Sequence, residues 1–403
     1  MLWAKSAGST DYDNAGGIST DAFGNLYLIG NFKSPSISFG SVSLTNTNSN
    51  TDIFIVKFDG NGNVLWAKSE GGSGDDFGIK VECSANGEVY TLGGFTSKAL
   101  TIGSTTLTNA GYADILVAKY NSSGNVLWAN SAGGDKNDGG TDIAVDANGN
   151  AYITGFFYSS LINFDSDTIY NLGSTDVFVV KFAASGKSIW ARGASGDSWE
   201  NGTSIVSDIN GNSYIAGQFR SSTITFGSIT LKNEGFTNIF IAKYDASGSL
   251  IWVKNIQSKQ IVEGPRIALG NQSLYITADF NDSSLALGRY TLTSKDGVIF
   301  IAKFANKING IESQFSGTDY EVNVFPNPFW DAFNFCYNLP EASPVQLKIY
   351  TLTGKEVYSS KIENQIQGMH SQKISLFTAP GLYFYQFVVR GQAVHGKIVL
   401  TEK

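Results

Sequence analysis

From Leu2 to Phe304 apolar and polar residues alternate in short runs separated by Gly, Asn and Asp, a period of two that predicts strands and turns rather than helices. Aromatic runs of the form Y-x-x-G-x-F recur at Tyr27 to Phe32, Tyr90 to Phe95, Tyr152 to Phe157 and Tyr214 to Phe219, with a drifted copy at Tyr275 to Phe280. Each of the first four follows a turn rich in Gly and Asn or Asp, such as Asp146-Ala147-Asn148-Gly149-Asn150. Gly there tolerates the positive φ that a tight hairpin needs. A second, shorter hairpin follows, for example Ile224 to Leu231, and then an apolar strand: Ile53 to Phe58, Ile115 to Tyr120, Val177 to Phe182, Ile239 to Tyr244 and Ile299 to Phe304. A Lys stands at the same place in every copy: Lys57, Lys119, Lys181, Lys243 and Lys303.

The unit is timed by tryptophan. Trp3, Trp66, Trp128, Trp190 and Trp252 are 63, 62, 62 and 62 residues apart, and each opens a W-[AV]-[KNR] strand. A fixed period of this length means one supersecondary unit repeated five times. The first Trp strand, Leu2 to Lys5, has no apolar strand before it, and the last apolar strand has no Trp strand after it. Pairing the two would remove the exposed sheet edges. The expected fold is therefore all-β: residues 1–305 as a five-bladed β-propeller closed by the N-terminal strand, with an open solenoid as the alternative arrangement of the same units. The units resemble the bacterial β-propeller repeat family whose members carry W-A-K near G-G and D-x-x-G-N-x-Y-x-x-G. That resemblance implies a propeller fold and no particular activity.

Past Phe304 the period stops. Residues 306–320 read as a polar linker, and residues 321–403 carry short alternating segments: Phe333 to Tyr337, Val345 to Tyr350, Lys373 to Leu376, Tyr383 to Val389 and Lys397 to Leu400. With Gly and Pro turns between them, they predict a small β-sandwich. Pro326-Asn327-Pro328, the run Val345 to Lys355 with Gly354-Lys355, Gly381-Leu382-Tyr383 and Gly396-Lys397-Ile398-Val399 resemble the C-terminal sorting domain of cargo for the type IX secretion system of Bacteroidetes. The resemblance implies recognition by the type IX translocon and its sortase, cleavage in the linker, and release or attachment of the repeats at the outer-membrane cell surface. It also implies an N-terminal signal peptide. The first residues show no basic and apolar signal, so a mature or trimmed chain, or an incomplete gene start, is expected.

Composition narrows the function. A net charge of −7 without long runs of one sign lacks the Lys/Arg footprint of a nucleic-acid or anionic-membrane partner. No apolar stretch approaches the roughly 20 residues of a membrane-spanning helix. Two cysteines, Cys83 and Cys336, sit too far apart in the plan for an obvious bridge, so no disulfide framework is expected. Both histidines, His370 and His395, lie in the C-terminal module, which leaves the repeats without a His base, a Ser-His-Asp triad or a His-based metal site.

One carboxylate recurs about ten residues after each Trp: Asp13, Asp76, Asp138, Glu200 and Glu263. In a closed ring these would form a negative ring able to take Ca²⁺ or a cationic or sugar ligand. The competing and preferred reading has each one bonding loop backbone beside Gly78, Gly140, Gly202 and Gly264. Asp59-Gly60-Asn61-Gly62-Asn63 resembles a calcium loop but lacks its Gly at position six, although Glu70 falls at position twelve, and reads as a hairpin turn. The five Trp read as packing between units. Trp199, Tyr158 and Tyr170 break the repeat and are better candidates for ligand contact. Asp167-Thr168-Ile169 resembles a Bacteroidetes O-glycosylation site and reads as plain surface. Glycosidase carboxylates need different environments to separate their pKa values, whereas these recur in near-identical settings. The leading expectation is thus an exported, non-enzymatic binding or adhesion module for a glycan or protein ligand, without a cofactor. A secreted carbohydrate-active enzyme and a structural surface-layer component are the alternatives.

Overall fold

In the computed structural model the regular elements of the described residues are all strands. The structure describes residues 2–270, 273–281, 283–287, 290–294, 297–305, 322–325, 331–339, 341–376 and 378–401. It divides into two compact units, Met1–Phe304 and Ala305–Lys403. The expected linker, 306–320, lies outside the described residues.

The first unit stacks five antiparallel sheets. The first is made of Asp13–Thr20, Leu26–Phe32, Asp52–Phe58 and Val64–Glu70, in that spatial order. The second, third and fourth repeat it from Asp76–Cys83, Asp138–Val145 and Glu200–Ser207. The strand carrying each Trp closes the preceding sheet: Trp66 lies opposite Lys57, Trp128 opposite Lys119, Trp190 opposite Lys181 and Trp252 opposite Lys243. A short hairpin such as Ala99–Ile102 with Thr105–Thr108 accompanies each sheet. The third strand of each of the first four sheets is buried along its whole length, because both of its faces meet neighbours.

Stacking is fixed by close backbone approach along the innermost strands. A Cβ at Gly16 would fall 2.2 Å from the Gly78 carbonyl oxygen, so only glycine allows the first and second sheets to meet there. Thr141 Oγ1 donates to Gly202 O at 2.5 Å and Thr203 Oγ1 to Pro265 O at 2.7 Å across the next two junctions. Aromatic side chains fill the space between sheets. Tyr27, Tyr90, Tyr152 and Tyr214 are fully buried, each edge-on to the Trp of its own sheet at 6.0 to 6.3 Å.

Closure by the N-terminal strand is not seen among the described residues. The fifth sheet has three strands, Val262–Gly270, Ser273–Phe280 and Val298–Ala305, and Leu2–Lys5 is not its fourth: among the described residues these four form no strand. The first Trp docks on the first sheet, where Trp3 Nε1 donates to Gly60 O at 3.2 Å and the ring lies 6.4 Å from Phe58. The same bond joins Trp66 to Ser122 O, Trp128 to Ala184 O and Trp190 to Ala246 O, each running from the last strand of one sheet to a turn of the next.

The second unit packs a three-stranded sheet, Val322–Phe325, Ala332–Leu339 and Gly368–Ser375, and a four-stranded sheet ordered Glu356–Gln365, Ser343–Thr351, Gly381–Val389, Gln392–Leu400. Phe335, Tyr337, Leu347, Tyr385 and Phe387 join both sheets in one core, the arrangement of a β-sandwich. The strand Glu356–Gln365 carries no clean alternation in the sequence, since it is an edge strand exposed along most of its length.

Candidate functional site

The repeated carboxylates begin four innermost strands, and their oxygens are turned into the protein. Asp76 accepts from Gly72 N at 2.8 Å and from Ser97 Oγ at 2.7 Å; Asp138 accepts from Gly134 N at 2.7 Å and Ser159 Oγ at 2.6 Å. Glu200 accepts from Ser221 Oγ and from Ser221 N at 3.2 Å, and Asp13 from Ser34 Oγ at 2.8 Å. Asp76, Asp138 and Glu200 are at most 1% exposed. They brace the loop after each Trp strand against the end of the second strand and present no negative ring to solvent, so the ring reading of these three is corrected in favour of the loop brace. The serine was not singled out from the sequence, yet acid and serine are 21 residues apart in all four copies, a signal that was present.

A second set of acids was missed. Asp52, Asp114 and Asp176 open the third strands, each buried beside the brace of the next sheet, so that three junctions hold a pair of carboxyls: Asp52 with Asp76, Asp114 with Asp138 and Asp176 with Glu200. Burial and the neighbouring acid push Asp52 up to about 6. Burial pushes Asp114 up to about 6 as well; the Ala110 N–H opposes this and the Asp138 charge adds to it. Asp176 and Glu200 are both raised, mainly by burial. Asp52 Oδ1, Asp114 Oδ1 and Glu200 Oε2 have no hydrogen-bond partner, and glycine faces two of them: a Cβ at Gly71 or Gly133 would fall about 2 Å from the Asp52 or Asp114 oxygen. A glycine backbone lies against each of these two oxygens.

The turn residues are equally occupied. Asp59 accepts from Asn61 N, Asn63 N and Asn63 Nδ2 at 2.8 to 2.9 Å, and Asp21 and Asp146 do the same in their own turns while also taking a tyrosine hydroxyl. Among the described residues no group of three or more His, Cys, Asp or Glu is placed to hold a metal ion. Cys83 and Cys336 are free thiols.

The places where the copies differ do converge. Trp199 and Glu263, from adjoining sheets, are brought together by Arg220 at the end of a second strand. The Arg220 guanidinium lies 4.9 Å from the Trp199 ring centroid and 5.2 Å from that of Phe236, and Nη2 stands 3.4 Å from Glu263 Oε1. Arg220 and Phe236 are exposed and Trp199 is half-buried. Glu263 also lines a cleft of about 410 Å³ with Ile261, Asp279, Asn281, Gly297, Val298 and Ile299. Glu263 sits directly opposite Asp279 across the two strands. The cluster offers an aromatic face, a cation and two carboxylates around a concave surface, the mixture that binds polar, ring-shaped or peptide ligands. Tyr158 stacks edge-on against Phe156 at 5.9 Å and Tyr170 is exposed on its hairpin; neither joins the cluster.

Of the sorting residues, Gly354 lies in a tight turn with φ of 80°, Gly381 and Tyr383 begin the strand Gly381–Val389, and Lys397 lies opposite Phe384 in the last strand. Tyr383 is buried and its hydroxyl donates to Ala379 O. Lys355 N donates to Thr351 Oγ1 at 3.1 Å. Pro326, Asn327 and Pro328 lie outside the described residues.

Residues 323–401 match the model of the secretion system C-terminal sorting domain. The class is thereby defined at its C-terminal end: an all-β protein carrying a sorting module that directs export through the type IX system to the cell surface or the medium. No helix of the described residues is long and apolar enough to cross a membrane. The chain is similar to an uncharacterised WD repeat-containing protein of Acanthamoeba polyphaga mimivirus, 22% identical over 73% of this chain and 26% of that protein. It is also similar to the regulatory protein FlaEY of Caulobacter vibrioides, 26% identical over 34% of this chain and 15% of that protein. It thus spans about a quarter or less of the curated relatives it matches. Among solved structures, a glycoside hydrolase family 43 arabinoxylan arabinofuranohydrolase from Bacillus subtilis aligns over 96% of this chain and 95% of its own at 12% identity and a TM-score of 0.28. Dimeric latent PorU from Porphyromonas gingivalis aligns over 96% of this chain and 32% of its own, at 12% identity and a TM-score of 0.20.

Proposed function

We propose that this protein is a non-enzymatic binding or adhesion module of the bacterial cell surface, exported by the type IX translocon through its C-terminal domain. The observation that carries the binding reading is the cluster of Trp199, Arg220 and Glu263, where symmetry breaks on an exposed surface beside a cleft. A specific ligand needs such a break, because identical copies offer identical chemistry. A glycan fits the aromatic face and the carboxylates; a protein loop bearing a cation or amide fits the same groups. The export reading rests on the sorting-domain match, and the host it implies is a member of the Bacteroidetes.

The experiment is a glycan array probed with the full chain and with Trp199→Ala and Arg220→Ala, followed by a hydrolysis assay on each bound glycan. Binding lost in both variants without turnover supports the reading, whereas turnover overturns it. A carbohydrate-active enzyme is the second reading, supported by Glu263 and Asp279 facing each other on one cleft. Export is tested by fusing residues 306–403 behind a signal peptide and a reporter in a Bacteroidetes host, where a reporter retained in the periplasm would refute it.

A further inference from the structure

One step after the brace position, the innermost strand and its neighbour carry a different pair of residues in every sheet. The pairs are Asn14 with Asn31, Phe77 with Gly94, Gly139 with Phe156, Asn201 with Gln218 and Glu263 with Asp279. Across the first junction Asn31 Oδ1 accepts from Gly78 N at 2.6 Å, and across the fourth Gln218 Oε1 accepts from Gly264 N at 3.1 Å. At the third junction the equivalent residue is Phe156. Its ring lies over Gly139, where a Cβ would fall 2.8 Å from Phe156 Cζ, and meets Tyr158 edge-on. Two of these junctions are thus filled by an amide oxygen and one by an aromatic ring.

The second junction is built differently. Gly94 stands where Asn31 and Gln218 stand in their sheets, and a Cβ on it would meet only the Asp114 carbonyl oxygen, at 3.6 Å. Facing it is Gly140 N, the equivalent of Gly78 N and Gly264 N. The ladder of its own sheet does not use that N–H, because N–H groups along an edge strand alternate between the neighbouring strand and the free side. Asp138 N, two residues earlier and on the same side, donates out of the sheet to Ala113 O at 2.8 Å. Beside the opening the Phe77 ring is 39% exposed, and Leu92 lies beneath, its Cδ1 2.5 Å from where a Gly140 Cβ would be. Lys80 closes the inner end, with Nζ 3.6 Å from Asp142 Oδ1.

We propose that this opening is a subsite for a single sugar ring, whose C–H face stacks on Phe77 while one of its oxygens accepts from the Gly140 N–H. That oxygen takes the place that the Asn31 and Gln218 amide oxygens hold at the first and fourth junctions. A sugar suits the site better than a peptide does. One donor beside an apolar ring matches a hydroxyl on the edge of a pyranose, whereas an added peptide strand needs donors and acceptors in alternation. The subsite lies between the second and third sheets, each with its Trp strand in place, and uses no residue of the Trp199 cluster. It therefore extends the binding reading without depending on it. A hexose of about 12 non-hydrogen atoms at ordinary ligand efficiency binds with roughly millimolar strength, too weakly for capture on an array.

The test follows the Gly140 amide of the full chain by proton–nitrogen NMR during titration with glucose, galactose, mannose and N-acetylglucosamine. At least one sugar should shift that amide along a saturating curve. Phe77→Ala should weaken the response about tenfold, since it removes the stacking face. Gly94→Asn restores the acceptor found at the first junction, so it should move the Gly140 amide without sugar and abolish the response, with the melting temperature unchanged or raised. Trp199→Ala should respond as the wild type does. The proposal is overturned if none of the four sugars shifts the amide, if Phe77→Ala or a folded Gly94→Asn responds like the wild type, or if Trp199→Ala abolishes the response. A triglycine peptide that shifts the amide as strongly as the sugars would overturn it too, as the mark of a peptide site. Should Gly94→Asn fail to fold, Phe77→Ala decides alone, because its ring is exposed and its loss opens no core.

Discussion

Replacing Asp114 with Asn should stabilise the protein at neutral pH and flatten its dependence on pH. Asp114 is 2% exposed, its Oδ2 accepts from Ala110 N at 2.8 Å, its Oδ1 has no partner, and Asp138 lies beside it. Burial first, and the Asp138 charge next, push its carboxyl up to about 6 from 3.8. The folded state therefore keeps a proton that the unfolded state releases between those values. Stability conferred by this group is full below the unfolded value, falls as pH rises through the window, and levels off above about 6. Each unit is equivalent to about 1.4 kcal/mol, giving a ceiling of about 3 kcal/mol, which solvent screening near the loops reduces to roughly 1 to 2 kcal/mol. Asn keeps the acceptor for Ala110 N and carries no charge. The fourth sheet carries Asn238 at the same place, where its Oδ1 accepts from Ser258 N at 2.9 Å. Urea unfolding of both proteins at about pH 4.5 and about pH 7.5 measures the effect. A variant that is less stable than the wild type at the higher pH, or that keeps the full wild-type slope, would refute the account of a strained acid pair.

Ser159→Ala removes the hydroxyl that donates to Asp138 and accepts from Lys136 N at 2.9 Å, and should cost about 1 to 3 kcal/mol in denaturant unfolding, since it strips a buried carboxylate of a donor. Gly133→Ala would place a Cβ 2.1 Å from Asp114 Oδ1 and should lower stability by about 1 to 3 kcal/mol, checked by melting temperature; combining it with Asp114→Ala should recover part of the loss. Arg220→Ala, at an exposed site, should change stability by less than about 1 kcal/mol while abolishing ligand capture on the array. Below the ordinary carboxylate range the protein should lose stability again. Burial raises Asp21 and Asp146, but their turn amides and tyrosines outweigh it and hold both below the ordinary value, so the stability they give is present above that value and lost as pH falls. A pH series of melting temperatures should thus peak in the mildly acidic range.

The repeat was legible because its parts are local. Asn-Gly turns, alternating strands and a Trp every 62 or 63 residues are each specified within a few positions, and the sheets and hairpins appear where the alternation places them. The sorting motif was legible for the same reason, as order and spacing near the C-terminus. The polar edge strand Glu356–Gln365 was not, since it is exposed along most of its length and has too few covered positions to impose a period. Trp199 and Glu263 were readable as departures from the repeat, but Arg220, which joins them, was not, because nothing in the order of residues says that a cation 21 positions after Trp199 folds back over its ring.

Sequence alone determined the repeating unit, its succession of strands and turns along the chain and the presence of an export module. These depend on short-range periodicity, turn chemistry and motif order. Tertiary structure decided what happens between units: that three of the repeated acids are buried braces, that they meet a second set of acids, and that among the described residues the last sheet has three strands. Each of these turns on which surfaces exclude water from which, and a repeating sequence writes the same surface five times without saying which copy is covered.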